Sequence, residues 1–321
     1  MNQRFSVQGL QAPDGMALRA GRWEVGAAGT APRAVCVLLQ GLGEFLEKYD
    51  EVAEELNARG FIVISVDWRS QGASERSGRD NRLAHVASFE EYEQDLAILI
   101  QKLALPTELP LIALAHSTGA HILLRYLAEN KRRIACAALV SPLIDIVIEK
   151  YPHWAVRLLT ALANFPRPSR RPLPGTDEHD QLYVPFENNR VTSDRARYAQ
   201  LQEKLKKQPF LRINGPSFGW LRAAFRSIRQ VSTKAFAEEI ATPLIVYGAG
   251  KDRIVKTDRT REYVEWIPKA RYVELEEAEH EILMENDSIR NRFWNAFDAF
   301  VEKQLAEPRS GFFAARGGDE R

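Results

Sequence analysis

The chain has 321 residues, of which 45% are hydrophobic and 27% are charged. This length accommodates one large α/β domain with an insertion, or two smaller domains, and the composition is that of an ordinary globular protein. With 44 basic against 43 acidic residues the formal net charge is +1, so the charge balance gives no electrostatic reason to expect a nucleic-acid partner.

Short β-branched runs alternate with longer amphipathic stretches, which predicts an α/β fold with a mostly parallel sheet flanked by helices. Two runs around the Asp14–Gly15 turn signal predict an antiparallel hairpin at the sheet edge, formed by Arg4–Gln8 and Ala17–Glu24. Further strands are predicted at Val35–Gln40, Phe61–Asp67, Leu111–His116, Ile134–Ser141 and Pro243–Gly248. Helices are predicted at Lys48–Arg59, Phe89–Leu103 and Thr118–Asn130.

The alternation breaks between about Leu143 and Phe236, where helical patterns occur at Ser193–Lys207 and Pro216–Arg229 but strong strand patterns do not. We therefore predict one α/β core formed by residues 1–142 and 236–306. A helical cap insertion is predicted at residues 143–235, and a mobile tail at residues 307–321, which show little periodicity.

The two cysteines, Cys36 and Cys136, lie inside apolar runs, which predicts buried reduced thiols in strands. The first fifteen residues lack the continuous apolar stretch of a secretory signal. No run approaches the roughly 20 apolar residues that span a bilayer. We therefore predict a cytoplasmic location, while transient contact with a membrane surface and the oligomeric state stay open.

The strongest chemical signal is the run from Ala115 to Gly119, which directly follows an apolar strand pattern and directly precedes a helical one. It matches the G-x-S-x-G nucleophile elbow, with alanine in the first position. A sharp strand-to-helix turn needs small residues on both sides of the serine, and it leaves the serine hydroxyl exposed in a strained conformation. Ser117 is therefore the predicted nucleophile.

A serine hydroxyl is a weak nucleophile, so a base and an orienting acid are expected after it in the chain. Among the six histidines, His280 lies in the C-terminal part, where a loop after a late strand can reach back over Ser117. His116 adjoins the serine and is expected to point away from it. Asp252 ends a strand-plus-turn pattern at the predicted carboxyl edge of the sheet. We therefore predict Asp252 as the orienting acid and His280 as the base.

The oxyanion of an acyl-transfer reaction needs two N–H donors. One is expected from Thr118, at the start of the helix that follows the elbow. The other is expected from Leu42, because the segment from Gln40 to Glu44 follows a strand and its glycines allow the backbone to approach a ligand closely.

Several motifs together resemble the lysophospholipase and monoacylglycerol lipase group of α/β-hydrolases, over nearly the whole chain up to about Ala306. QGLGEFLEKY resembles that group's His-Gly-x-x-Glu segment and its following basic-Tyr pair, here Lys48 and Tyr49. VDWRSQGASER resembles the Asp-x-Arg-Gly-x-Gly-x-Ser strand end, and GAGKDRIV and AEHEILMEND resemble the acid and base loops. Within the insertion, NRVTSDRARY and PSFGWLRAAF look like the cap of bacterial lysophospholipase-like members.

The resemblance implies an acyl ester substrate and a cap that covers the acyl pocket, and it supports the acid and base roles of Asp252 and His280. Three positions depart from the group's pattern. Gln40 stands where histidine is usual, Ser70 replaces a glycine, and Ala115 replaces the first elbow glycine. The Gln40 change bears on how the oxyanion segment is held, and it concerns substrate preference more than catalysis.

The start of the insertion has apolar residues at helical spacing, and we propose as substrate-binding residues Trp154, Leu158 and Leu162. The alternative is that this face packs on the core. Three arginines follow at Arg167, Arg170 and Arg171. They suit a phosphate head group, but a solvated proline-rich loop is the simpler explanation, because arginine is ordinary on protein surfaces.

The sequence therefore predicts a serine esterase with an acyl-enzyme mechanism, most nearly a lysophospholipase or monoacylglycerol lipase-like enzyme acting on a small-molecule acyl ester or lipid. No metal and no organic cofactor are expected. A small-ester esterase or a serine aminopeptidase on the same fold remains an alternative, because fold does not fix substrate. A non-catalytic binding protein remains another.

Overall fold

The computed structural model describes residues 5–26, 31–77, 82–104, 108–130, 133–147, 170–172 and 184–307. A central sheet of eight strands carries most of the core. In chain order, its strands are β1 (Phe5–Gln11), β2 (Ala17–Trp23), β3 (Ala34–Leu39), β4 (Phe61–Val66), β6 (Leu111–His116), β7 (Cys136–Val140), β9 (Leu244–Ala249) and β10 (Ala270–Leu275). Two short strands, β5 (Leu83–Ala84) and β8 (Gly215–Pro216), pair with each other apart from this sheet.

The strand order in the sheet is β1-β2-β4-β3-β6-β7-β9-β10. The hairpin of β1 and β2 is antiparallel and lies at one edge, with Leu10 opposite Leu18, and β2 pairs antiparallel to β4. The pairs from β4 through β3, β6, β7 and β9 to β10 are all parallel. The predicted mostly parallel sheet and its edge hairpin are therefore confirmed, and the carboxyl ends of six parallel strands meet at one edge.

Helices cover both faces of the sheet. They are α1 (Asp50–Ala58), α2 (Phe89–Leu103), α3 (Ser117–Glu129), α4 (Arg195–Lys207), α5 (Phe218–Val231), α6 (Lys234–Glu238), α7 (Thr257–Val264) and α8 (Asp287–Ala306). Single 3₁₀ turns occur at Leu46–Tyr49, Phe186–Asn188, Pro209–Leu211 and Ile282–Met284. Within the described residues, no helix has both the length and the apolar character needed to cross a membrane.

Two hydrophobic clusters lie on opposite faces of the sheet, because successive side chains of a strand point to opposite sides. In β3, Val35 and Val37 belong to one cluster, whereas Cys36 and Leu38 belong to the other. The first cluster contains the apolar faces of α2, α3 and α7. The second contains those of α1 and α8. Both cysteines are fully buried in strands, as predicted.

The described part of the predicted cap has two different environments. Helix α4 has few buried residues, chiefly Tyr198 and Leu205. Helix α5 instead places Trp220, Ala224 and Ile228 in the same hydrophobic cluster as α2 and α3. Helix α5 therefore packs as part of the layer that covers the sheet, although its sequence lies inside the predicted insertion. The tail predicted at residues 307–321 lies outside the described residues, except for residue 307. The division into core and cap stays a prediction.

Candidate active site

Three neighbouring loops at the carboxyl edge of the sheet bring the predicted triad together. Ser117 begins α3 directly after β6, Asp252 lies three residues after β9, and His280 lies five residues after β10. Because β6, β7, β9 and β10 are adjacent parallel strands, their carboxyl ends deliver these residues to one place. All three residues are far apart in sequence but close in space.

The elbow at Ser117 is tightly built. Ser117 has a φ of +50°, in the left-handed region that a side chain disfavours. A Cβ at Gly119 would lie 2.5 Å from the carbonyl oxygen of Gln40 and 2.7 Å from that of Leu39. The first turn of α3 therefore packs directly on the end of β3, and residue 119 must be glycine. Ala115 is fully buried, so its methyl group is accommodated at the first elbow position.

A chain of hydrogen bonds joins the three side chains. Nδ1 of His280 lies 2.7 Å from Oδ2 of Asp252, and Nε2 of His280 lies 3.0 Å from Oγ of Ser117. Since an ionised carboxylate only accepts hydrogen bonds, Nδ1 carries the imidazole proton. Nε2 then presents its lone pair to Ser117, whose hydroxyl donates. The arrangement can abstract a proton from Ser117.

The carboxylate of Asp252 is held in its ionised form. Burial opposes ionisation, but the hydrogen bond and charge of His280 and the backbone N–H groups of Val255 and Ile254 outweigh it and lower the pKa of Asp252. Both N–H groups donate to Oδ1, at 2.8 Å from Ile254 and 2.9 Å from Val255. Oδ2 is thereby left for His280, which fixes the orientation of the imidazole.

The segment Gly41–Glu44, which we call the oxyanion loop, follows β3 beside the elbow. The N–H of Gly41 donates to Oε2 of Glu44, and the N–H of Gly43 donates to Oε1 of Gln71 at 2.7 Å. The N–H of Leu42, between them, donates to none of the residues that the structure describes. The predicted donor is thus available to a ligand while both of its neighbours are engaged.

Glu44 is the centre of a buried charged cluster that the sequence did not identify. Besides Gly41, it accepts from Nζ of Lys48 at 2.6 Å and from the hydroxyl of Tyr49 at 2.7 Å. Nδ1 of His116 lies 3.1 Å from the same carboxylate. Although burial disfavours the charge, Lys48 and His116 hold the pKa of Glu44 well below its ordinary value. The only sequence signal for this cluster was the position of Glu44 in the QGLGEFLEKY motif, and the motif does not predict which side chains contact it.

The same cluster reaches the base loop. Lys48 also forms an ion pair with Glu281 at 2.6 Å, and Glu281 directly follows His280. Nε2 of His116 lies 3.3 Å from the carbonyl oxygen of His280, and the hydroxyl of Ser141 donates to that oxygen at 2.9 Å. Among the described residues, His116 therefore forms no hydrogen bond with Ser117. It contacts the backbone of His280 instead.

Gln40, which stands where histidine is usual in the resembling group, is fully buried. Its Nε2 donates to the carbonyl of Val66 at 3.0 Å and to Oγ of Ser65 at 3.3 Å. Its own carbonyl accepts from Nε1 of Trp68 at 2.9 Å. Gln40 therefore ties the end of β3 to β4, and among the described residues its side chain forms no hydrogen bond with the amides of the oxyanion loop.

The residues of the VDWRSQGASER motif hold the segment that follows β4 in place. The carboxylate of Asp67 accepts from the N–H groups of Leu46 and Ala73 at 2.9 and 2.8 Å. Arg69 is almost fully buried and forms ion pairs with Asp95 at 2.6 Å and Asp14 at 2.7 Å. These contacts fix the segment that follows β4 without reaching the triad. Next in this segment stands Ser70 in place of glycine, with a φ of +63°.

A cavity of about 270 Å³ opens beside the oxyanion loop, between it and helix α4. Leu42, Phe45 and Glu281 line this cavity. Its lining also includes polar and apolar residues of the predicted cap, among them Asn188, Asn189, Val191, Tyr198, Gln202 and Leu205.

Other predicted binding residues have no described contact with the site. Trp154, Leu158, Leu162 and Arg167 lie outside the described residues, so their roles stay predictions. Arg170 and Arg171 are exposed. In the described ranges, no group of histidine, cysteine, aspartate and glutamate side chains is arranged to hold a metal ion.

A family model described as serine aminopeptidase, S33 matches residues 30–287. The chain belongs to this family. The match begins just before β3 and ends at the start of α8, so it contains all three residues of the predicted triad. The family is one of α/β-hydrolases, which agrees with the observed fold.

Individual relatives are lipid hydrolases. The chain is 31% identical over 277 residues to lysophospholipase L2 of Escherichia coli, covering 84% of this chain and 80% of that protein. It is 28% identical over 276 residues to a probable lysophospholipase L2 of Haemophilus influenzae, covering 86% of each. These relatives confirm the resemblance inferred from the motifs.

A solved structure gives the same fold. A soluble variant of monoglyceride lipase from Saccharomyces cerevisiae, in complex with a substrate analog, superposes with a TM-score of 0.74 at 19% identity. The superposition covers 96% of this chain and 98% of that chain. The α/β-hydrolase fold predicted from the sequence is therefore confirmed.

Proposed function

We propose that this chain is a lipid esterase that cleaves carboxylic esters through an acyl-enzyme on Ser117, with lysophospholipids or monoacylglycerols as its substrates. The observation that carries the proposal is the hydrogen-bonded array of Asp252, His280 and Ser117 at a strained elbow. The names of the relatives, lysophospholipase L2 and monoglyceride lipase, support the lipid substrate class.

In the first half of the reaction, Nε2 of His280 takes the proton of Ser117 as the serine oxygen attacks the ester carbonyl. Asp252 holds the proton-bearing Nδ1 in place and stabilises the imidazolium that forms. The negative charge that develops on the carbonyl oxygen is received by the N–H groups of Leu42 and Thr118. His280 then gives its proton to the departing alcohol, and the acyl group stays on Ser117.

In the second half, a water molecule replaces the alcohol. His280 takes a proton from this water as it attacks the acyl-enzyme, and the same two N–H groups receive the second oxyanion. Protonation of Ser117 by His280 then releases the fatty acid. Every step uses groups of this chain and water.

The cavity between the oxyanion loop and α4 suits the alcohol part of such a substrate. Its lining combines amide side chains, such as Asn188 and Gln202, with apolar residues such as Val191 and Leu205. Amides can hydrogen-bond the hydroxyl groups of glycerol, while the apolar residues pack against the carbon atoms of this alcohol. The acyl chain is assigned to the cap residues Trp154, Leu158 and Leu162, as the sequence predicts.

The experiment that tests the proposal is a hydrolysis panel for wild type and Ser117→Ala. The panel contains nitrophenyl esters of graded chain length, a monoacylglycerol, a lysophospholipid and an aminoacyl nitroanilide. We expect turnover of at least one lipid to exceed that of the short esters and to fall by several orders of magnitude in Ser117→Ala. Turnover restricted to short esters would contradict the lipid assignment, and turnover of the nitroanilide alone would establish the aminopeptidase alternative.

A further inference from the structure

The oxyanion loop is held by side chains at alternate amides. Gly41 donates to Glu44, within the loop itself, whereas Gly43 donates to Gln71, which lies 28 residues further along the chain. Gly43 has a φ of +79°, in the left-handed region that glycine adopts without strain. The direction in which the N–H of Leu42 points depends on both neighbouring peptide planes, and Gln71 fixes one of them from outside the loop.

The orientation of the Gln71 side-chain amide is determined by its two partners. Oε1 must face the loop because the N–H of Gly43 needs an acceptor. Nε2 then faces the hydroxyl of Tyr92 in α2, at 3.1 Å. A flipped amide would set its NH₂ group against the N–H of Gly43. Gln71 is fully buried, so water cannot replace either bond at low cost.

The same hydroxyl of Tyr92 also accepts from Nε1 of Trp220 in α5, at 3.0 Å. An indole N–H is a donor only, so the direction of this bond is unambiguous. Trp220 and Tyr92 both pack around Phe89, with ring centroids 5.9 and 5.4 Å from it. A series of hydrogen bonds therefore joins α5 to the oxyanion loop. It runs through Trp220, Tyr92, Gln71 and Gly43.

We propose that Gln71 is a positioning residue that fixes the N–H of Leu42 for the oxyanion. This inference rests on the proposed function, since it assigns the oxyanion to Leu42. Gln71 touches neither the substrate nor the triad; it acts through Gly43. Preorganised donors stabilise the transition state because no free energy is needed to reorient them during the reaction. Loosening the loop therefore lowers kcat while ground-state binding of the ester changes little.

The test compares Gln71→Leu, Gln71→Glu and Tyr92→Phe with wild type, using the most active ester of the hydrolysis panel. Leucine keeps the size of the side chain but cannot accept from Gly43, and we expect kcat to fall about 10- to 100-fold with KM changed by less than about threefold. Glutamate retains an acceptor, and we expect it to restore kcat to within about fivefold of wild type. Tyr92→Phe removes the support of Gln71, and we expect a smaller loss of kcat.

A matched control separates positioning from general destabilisation. Asn57 is a part-buried amide that donates to the carbonyls of Trp23 and Phe61 at the amino end of β4, whereas the oxyanion loop follows the carboxyl end of β3. We expect Asn57→Leu to lower Tm while leaving kcat within about twofold of wild type. If Asn57→Leu lost kcat as steeply as Gln71→Leu did, the positioning role would be overturned.

Hydrogen exchange provides a readout that does not depend on turnover. In Gln71→Leu we expect the amides of residues 41–46 to exchange about tenfold faster than in wild type, with α8 unchanged. Unchanged exchange in the loop, or a kcat within twofold of wild type, would overturn the inference. Loss of the proposed function has a different signature: wild type would then hydrolyse no ester faster than Ser117→Ala, while exchange would still show whether Gln71 holds the loop.

Discussion

His116 lies against His280, with the ring centroids 4.9 Å apart and Nε2 of His116 3.3 Å from the carbonyl oxygen of His280. The other nitrogen of His116 faces the carboxylate of Glu44 at 3.1 Å. A carbonyl and a carboxylate both only accept hydrogen bonds, so two bonds require two protons on the ring. In its protonated form His116 therefore connects the loop of His280 to Glu44 through both ring nitrogens.

The charge of His116 makes stability depend on pH. Burial lowers its pKa, but the charge and hydrogen bond of Glu44 and the charge of Glu281 outweigh burial and the repulsion of Lys48, so the pKa is raised above 6.5. The stabilising contribution is fully present below the unfolded value of about 6.5 and is lost as the pH rises through the higher folded value. We expect the advantage of wild type over His116→Gln in the free energy of unfolding to be largest below about pH 6.5 and to shrink as the pH rises above that value.

His121 provides a control of opposite sign for that measurement. Burial lowers the pKa of His121 to about 3, and the ring bonds the carbonyl of Leu143 and the hydroxyl of Ser227, each at 2.7 Å. The neutral form is favoured by folding, so its contribution is present above about pH 6.5 and falls as the pH decreases. Urea unfolding at several pH values measures both effects. If variants of His116 and of His121 showed the same pH trend in the free energy of unfolding, the charge assigned to His116 would be contradicted.

Replacing Asp252 with asparagine should remove most of the activity without unfolding the protein. An amide cannot stabilise the imidazolium of His280, and it permits the wrong tautomer of the ring. We expect kcat for Asp252→Asn to fall about 10³- to 10⁴-fold. Steady-state kinetics on the best ester measures this loss. The control is Asp258→Asn, whose side chain is 87% exposed, and a comparable loss there would count against the assigned role of Asp252.

Gly119→Ala should distort the elbow. The new methyl group would collide with the carbonyl oxygens of Gln40 and Leu39, which are backbone atoms and cannot turn aside. We expect a loss of about 1–3 kcal/mol in the free energy of unfolding, together with a large loss of activity. Urea denaturation and kinetics measure the two effects. At Gly9 a methyl group meets nothing within 4 Å, so Gly9→Ala should change stability by less than about 0.5 kcal/mol.

Arg69→Leu should destabilise the protein through the carboxylates that it leaves behind. Asp95 is fully buried beside Arg69, and removing one member of such a pair leaves an uncompensated buried charge. We expect a loss of about 3–5 kcal/mol in the free energy of unfolding. In the comparison variant Arg33→Leu the lost pair, with Glu302, is about half exposed and should contribute less than about 1 kcal/mol. Equal losses in chemical denaturation would refute this difference.

The limits of sequence reasoning are clearest in the insertion. The helical pattern at Pro216–Arg229 was predicted correctly as a helix and is observed as Phe218–Val231. Its period of 3.6 residues identifies an apolar face, but that period does not say what the face packs against. The structure shows that this face joins the cluster formed by α2 and α3.

The elbow and the two loops that carry Asp252 and His280 were each predicted from signals that are local in the sequence. Ser117 is recognised by small neighbours between a strand and a helix, and Asp252 and His280 by their places after late strands. All of these signals lie within a few residues of the group concerned. The alternation of apolar residues likewise determined the sheet class, since the period of a strand is a property of the backbone.

The partners of Glu44, His116 and Gln71 were decided only by the tertiary structure. Their contacts join segments that are 72 residues apart for Glu44 and His116 and 28 apart for Gly43 and Gln71. Which loops become neighbours depends on the strand order of the sheet, in which β3 lies between β4 and β6. A buried polar side chain must find a partner, but the sequence does not specify that partner until the sheet has placed the three loops side by side.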